Sequence, residues 1–147
     1  MPRASSEIVI DSARDDVFAF LADPENDPQW RSGVLDLKRV SGNGIGARYA
    51  QGVKGPGGRR IPADIEITEL TPGESIAFQT VTGPVRPRGR YALAAADGGT
   101  CVRFELEADL KGAKRLIAPM VQKTMNNEVG QLDRLKRAIE QAEGARR

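Results

Sequence analysis

The chain has 147 residues, 39% hydrophobic and 29% charged, with a formal net charge of +2, one cysteine and no histidine. That length fits one domain, residues 1–147, burying about two thirds of its unfolded surface. Lack of histidine excludes Ser-His-Asp and Cys-His catalysis and histidine-based zinc sites, and no apolar run approaches the ~20 residues that span a bilayer.

The first strand is expected at Glu7–Asp11. Ser12 with Asp15 three residues on reads as a capping box for a helix through Val17, Phe18 and Leu21, stopped by Pro24. A second short helix should cover Pro24–Arg31, with Trp30 at its close. Six strands follow, at Val34–Val40, Ala47–Val53, Ile61–Leu70, Ser75–Thr82, Arg88–Ala95 and Thr100–Leu110. They are separated by turn residues such as Gly42-Asn43-Gly44, Pro72-Gly73 and Asp97-Gly98-Gly99, the punctuation of an antiparallel meander. Pro62 cannot donate to a ladder, so its strand should start there or bulge. Met1–Ser6 shows no apolar run of secretory type, and Cys101 has no partner for an internal disulfide. Cytoplasm is therefore the expected compartment.

From Val121 onward the apolar residues Val121, Met125, Val129, Leu132, Leu135, Ile139 and Ala142 step by three and four, keeping one stripe of a helix. Pro119 suits its first turn and Gly144 its C-terminal cap. Roughly 24 residues at about 1.5 Å each make a rod of about 36 Å, long enough to cross a small domain. Gly130 inside this rod costs about 1 kcal/mol relative to alanine, which suggests either close approach of another backbone or an untuned weakness. In the last strand Val102, Phe104, Leu106 and Ala108 share the face that must meet the helix, while Cys101, Arg103, Glu105 and Glu107 share the other. The same alternation puts Tyr49, Gln51, Val53, Ile65, Ile67, Ile76, Phe78, Thr80, Tyr91 and Leu93 on the concave side.

Ile8-Val9-Ile10-Asp11-Ser12-Ala13, Asp23-Pro24-Glu25-Asn26 leading to Pro28-Gln29-Trp30 and Gly33-Val34, Gly46, Gly98-Gly99-Thr100-Cys101-Val102 and Leu132–Lys136 together resemble a known family. It is the START-like, helix-grip group of SRPBCC proteins labelled polyketide cyclase/dehydrase, and the resemblance covers nearly the whole chain. It implies an α+β fold: a seven-stranded antiparallel sheet wrapped around a long C-terminal helix, two short helices after the first strand, and a hydrophobic cavity between sheet and helix. Members bind lipids, sterols or aromatic polyketides, and some catalyse cyclisation. Fold membership alone is weak warrant for chemistry.

The expected cavity wall is Tyr49, Gln51, Ile65, Ile67, Phe78, Thr80, Tyr91, Leu93 and Phe104 from the sheet, with Met120, Val121, Met125 and Glu128 from the helix. An apolar ligand burying ~300 Å² gains about 7.5 kcal/mol gross and gives up at least about 4 kcal/mol on association. Selective binding therefore needs polar contacts, and Tyr49, Gln51, Thr80, Tyr91 and Glu128 are the candidates. Glu128 on the helix flank is the weak catalytic candidate, either a half-buried acid/base or a boundary residue reaching solvent. Tyr49 and Tyr91 either orient a ligand oxygen or fill the core, and Trp30 is either a ligand platform or packing under the sheet end. Cyclases of the group use pocket arginines and tyrosines, whereas Arg48 and Arg90 should point outward here.

No metal or cofactor is expected, and neither glycine cluster has nucleotide-binding spacing. Nucleic acid is not an expected partner, because exposed aromatics for base stacking are missing. Lys111, Lys114 and Arg115 with Leu116 and Ile117 form a basic, apolar stretch before the helix that touches a membrane, gates the cavity mouth or is a solvated loop. The expected function is binding of a small hydrophobic, lipid-like or polyketide-like molecule. The alternatives are a cyclase or dehydratase using the same cavity, and a protein-partner adaptor with a vestigial one.

Overall fold

A computed structural model describes residues 2–146, with side chains described through residue 143. β1 (Arg3–Ile10) leads into α1 (Arg14–Ala22) and a 3₁₀ turn (Pro24–Gln29). There follow β2 (Val34–Ser41), β3 (Arg48–Lys54), β4 (Arg60–Pro62), β5 (Ile65–Thr71), β6 (Ser75–Thr80), β7 (Arg88–Ala96) and β8 (Gly99–Glu107). A second 3₁₀ turn, Gly112–Ile117, enters α2 (Ala118–Val129), and α3 (Leu132–Arg146) completes the chain. Among the described residues no helix is long and apolar enough to cross a membrane.

The strands form one antiparallel sheet in the order β1-β8-β7-β6-β5-β3-β2, with β4 paired to β3 off this path. α2 packs on β1 and β8, α3 on β1, and α1 on β6, β7 and β8. Alternation along β8 buries Val102, Phe104, Leu106 and Ala108 while Arg103 and Glu105 stay exposed. Helices and inner sheet face share one apolar cluster, from Ile10 and Val17 through Tyr91 and Phe104 to Leu135 and Ile139.

Three local expectations change. Ile61–Leu70 is two strands: the ladder stops at Pro62, whose ring nitrogen has no hydrogen to donate, and resumes at Ile65. Ser12 does not cap α1; Ala13 holds that position with no side-chain cap, and the Ser12 hydroxyl donates to Glu143. The long C-terminal helix is interrupted, since Gly130 ends α2 and a new helix starts at Leu132.

That interruption also corrects the reading of Gly130. Within 4 Å of a Cβ built there lie only Asn126 O and Asn127 O of its own helix, so no other backbone approaches it. At the other end, α3 runs through Gly144 to Arg146, and Gly144 is no cap. The break is held from both sides. Ser6 of β1 donates its hydroxyl to Val129 O. The Gln131 side chain accepts from Ser32 N at 2.7 Å and donates to Asn127 O at 3.1 Å.

Candidate ligand-binding site at a buried charge cluster

The 3₁₀ turn after α1 starts on Pro24, with Asp23 accepting from Glu25 N at 3.1 Å. At its close the backbone amides of Trp30 and Arg31 both donate to Asp27 O, at 3.0 and 2.8 Å. This single wound turn sends Trp30 into the core and sets the Arg31 side chain beside that of Asp27.

Arg31 is almost wholly buried and spends its donors on three groups. Nη1 donates to Asp27 Oδ2 at 2.9 Å and to Gln51 Oε1 at 3.1 Å. Nε and Nη2 donate to Glu128 Oε2 and Oε1 at 3.0 and 3.3 Å, a two-pronged grip on a residue of α2. Gln51 of β3 is fixed from its other end, donating from Nε2 to Ala63 O at 3.0 Å. Its backbone N donates to Asp64 Oδ1 at 3.1 Å, so the gap between β4 and β5 is tied to the same residue.

One buried guanidinium thus faces two carboxylates, Asp27 out of water and Glu128 at its margin. Burial raises the Asp27 pKa to about 6 against the opposing pull of Arg31. Burial acts on Arg31 in the downward direction, but Glu128 and Asp27 outweigh it and hold the guanidinium above its ordinary value. Burial also pushes the Tyr91 phenol well above its ordinary range, with Asp27 adding to the effect, so it remains a neutral donor at physiological pH.

Beside the cluster, Tyr91 of β7 stacks on Phe104 of β8, the residue opposite it, with centroids 4.5 Å apart. Trp30 meets both rings edge-on, at 6.3 and 6.0 Å. Trp30 is 0% and Tyr91 2% exposed. The Trp30 Nε1 hydrogen and the Tyr91 hydroxyl nevertheless have no hydrogen-bond partner among the described residues. Buried donors are nearly always paired, and each unpaired one costs about 1–3 kcal/mol.

The chain's relatives agree with this architecture. A family model described as polyketide cyclase / dehydrase and lipid transport matches residues 1–140. The chain belongs to this family. Among solved structures, a protein of Thermus thermophilus is similar at 20% identity, covering 96% of this chain and 99% of that one with a TM-score of 0.80. A START superfamily protein from Mycobacterium smegmatis is similar at 14% identity, with 95% and 98% covered and a TM-score of 0.72. The di-domain ARO/CYC StfQ of the steffimycin biosynthetic pathway is similar at 14% identity over 97% of this chain and 52% of that one, with a TM-score of 0.73. At such identities these likenesses show the fold, the START-like helix-grip arrangement. No curated protein matches the chain in sequence.

Against this family scaffold the expected cavity residues divide. Gln51, Tyr91 and Glu128 converge on Arg31 and the Trp30 ring. Ile65, Ile67, Phe78, Leu93, Phe104, Val121 and Met125 are buried around them in the shared core. Tyr49 and Thr80 are buried on the sheet but outside the cluster; Tyr49 lies near the charges of Asp23, Arg39 and Glu25, and burial raises its pKa. Met120 is 53% exposed, because it stands one step off the inward stripe of Val121 and Met125.

Glu128 gives both oxygens to Arg31, the geometry of a charge partner. Asp27, Trp30 and Arg31 carry the cluster, and two of these were absent from the candidate set. Spacing gave one signal, an acid and a base four residues apart across a short turn. A groove of about 680 Å³ runs over the outer sheet face, lined by Arg3, Arg88, Arg90, Arg103, Glu105 and Glu107 among others, away from this cluster.

Proposed function

We propose that the chain binds a small hydrophobic or aromatic molecule carrying an acceptor oxygen, in the space between the sheet and α2. The pair of unpaired donors, Trp30 Nε1–H and Tyr91 O–H, carries this reading. They stand at the junction of an apolar cage and a charge cluster that apolar residues would replace at little cost in stability. The family's description as cyclase, dehydrase and lipid transport supports the ligand class. Trp30, Tyr91 and Phe104 meet in the middle of this space, so binding rearranges those rings. Trp30 is the sole tryptophan, and its fluorescence reports on the site directly.

Acetonaphthone and ethylnaphthalene are close in shape, and only the first offers an acceptor oxygen. Titration of Trp30 fluorescence should show tighter binding of acetonaphthone, and Tyr91→Phe should weaken it about three- to tenfold, the worth of one hydrogen bond. Equal affinity for both probes together with an unaltered Tyr91→Phe variant would sink the proposal.

A second reading, dehydration of the bound molecule, is favoured by Asp27, which lies beside the Trp30 and Tyr91 rings and whose raised pKa leaves a carboxyl able to exchange a proton near neutral pH. Native mass spectrometry separates the two: a binder returns its molecule unaltered, whereas a dehydratase releases one lighter by a water.

A further inference from the structure

The 3₁₀ turn Gly112–Ile117 joins the sheet to α2 and buries none of its residues. Leu116 within it is 85% exposed, the most exposed large apolar side chain among the described residues, and Met120 follows on the first turn of α2. Lys123 comes three residues after Met120 and so shares its outward face, while Val121 and Met125 turn inward to the core.

Cations surround this apolar tip. Lys111, Lys114, Arg115 and Lys123 lie in a stretch with no acidic residue between Asp109 and Glu128. None of the four makes an ion pair among the described residues. On the sheet several arginines are paired: Arg88 holds Glu107 and Asp109 at 2.7 and 3.1 Å, Arg90 holds Glu69 at 3.1 Å, and Arg48 holds Glu66 at 3.0 Å. Single cations unpaired among the described residues, such as Lys38, Lys54 and Arg86, occur elsewhere, and what sets this patch apart is four of them around exposed Leu116 and Met120. Glu128 is committed to Arg31 in the interior. The chain therefore offers this patch neither apolar cover nor counter-charge.

An anionic bilayer supplies both at once. Its headgroups take the cations, and its acyl boundary takes the leucine and methionine. A nucleic acid would neutralise the charge but leave Leu116 and Met120 in water. We infer that the segment from Lys111 to Lys123 docks on an anionic lipid surface, with Leu116 and Met120 inserted and the four cations among the headgroups. This inference is independent of the interior site, and its test does not involve Trp30 or Tyr91.

Flotation of the full chain with vesicles is the direct measurement. Binding is expected to vesicles of phosphatidylcholine mixed with phosphatidylglycerol, not to phosphatidylcholine alone, and should fall with added salt. Neutralising Lys111, Lys114 and Arg115 together to Gln should weaken it on the order of a hundredfold, about fivefold for each cation near an anionic surface. Leu116→Ser should also weaken it with an unchanged far-UV circular dichroism spectrum, because Leu116 packs on nothing. Equal flotation with neutral vesicles, or a triple variant that binds as the parent does, overturns the inference. So does self-association of the lipid-free chain that Leu116→Ser abolishes, which would make a second copy the occupant. Heparin binding as strong as vesicle binding and indifferent to Leu116→Ser would leave only a polyanion patch, and overturns it as well.

Discussion

Asp27 and Arg31 illustrate how one residue's protonation reports on an entire interior. A carboxylate beside a single guanidinium would titrate low, but Arg31 divides its charge between Asp27 and Glu128, and Asp27 and Arg31 lie out of water. Desolvation therefore wins at Asp27, whose pKa stands at about 6 in the folded chain against an ordinary 3.8. Between those two pH values the native state holds a proton that the unfolded state has released. The contribution of Asp27 to stability is thus largest below about pH 4, falls as pH rises toward 6, and is level above that. Asp27→Asn removes this titration and keeps an oxygen for Arg31. Urea unfolding at pH 4 and pH 7 should show the parent losing about 2 kcal/mol relative to the variant over that span, at about 1.4 kcal/mol per pH unit where only the unfolded state has released its proton. A constant offset between the two proteins would mean that folding leaves the Asp27 pKa at its unfolded value.

At the scale of elements, the junction of α2 and α3 shows how a break in a helix is satisfied. Stopping α2 at Gly130 removes the next turn that would have donated to Val129 O, and the Ser6 hydroxyl takes that place. Helix side chains also cover the outer edge of β1: Gln122 accepts from Arg3 N at 3.1 Å and donates to Arg3 O, and Glu140 accepts from Asp11 N at 3.0 Å. The two ends of the strand edge are thereby occupied by helix side chains. Ser6→Ala leaves Val129 O without its partner and should cost about 1–2 kcal/mol in urea unfolding; a change within a few tenths would show that water satisfies the carbonyl equally well.

The same junction shows where sequence periodicity stops being informative. Val129 and Leu132 are three residues apart, a step that fits a continuous helix and an interrupted one alike, so the stripe was legible and the break was not. Strand faces were legible wherever one face is buried, as in β8, because alternation there has a single solution. Pro62 was legible as a problem, but whether it starts or ends its strand is settled in the fold beside Gln51, which binds Ala63 and Asp64 in the gap that follows it. Arg31 was the hardest to see. Arginine is seldom buried, and its partner Glu128 lies 97 residues away, a proximity that only the folded chain creates.

For the molecule as a whole, the core makes a specific demand on how it unfolds. Trp30 lies where the 3₁₀ turn, β7 and β8 meet, and its neighbour Arg31 grips α2 through Glu128. Helix layer and sheet are joined there by buried ions as well as by apolar contact, and removing either side would leave charge uncompensated at a cost of several kcal/mol. α2 therefore cannot leave the sheet while Trp30 remains in its native surroundings, and α3, which continues from it, is expected to leave with it. Trp30 fluorescence and far-UV circular dichroism, which follows mainly the helices, should give coincident urea midpoints in a single cooperative transition. The Gly130 junction is the place where this would fail. If the circular dichroism signal falls at lower urea than the fluorescence, α3 separates alone, and the linkage through Arg31 extends only as far as α2.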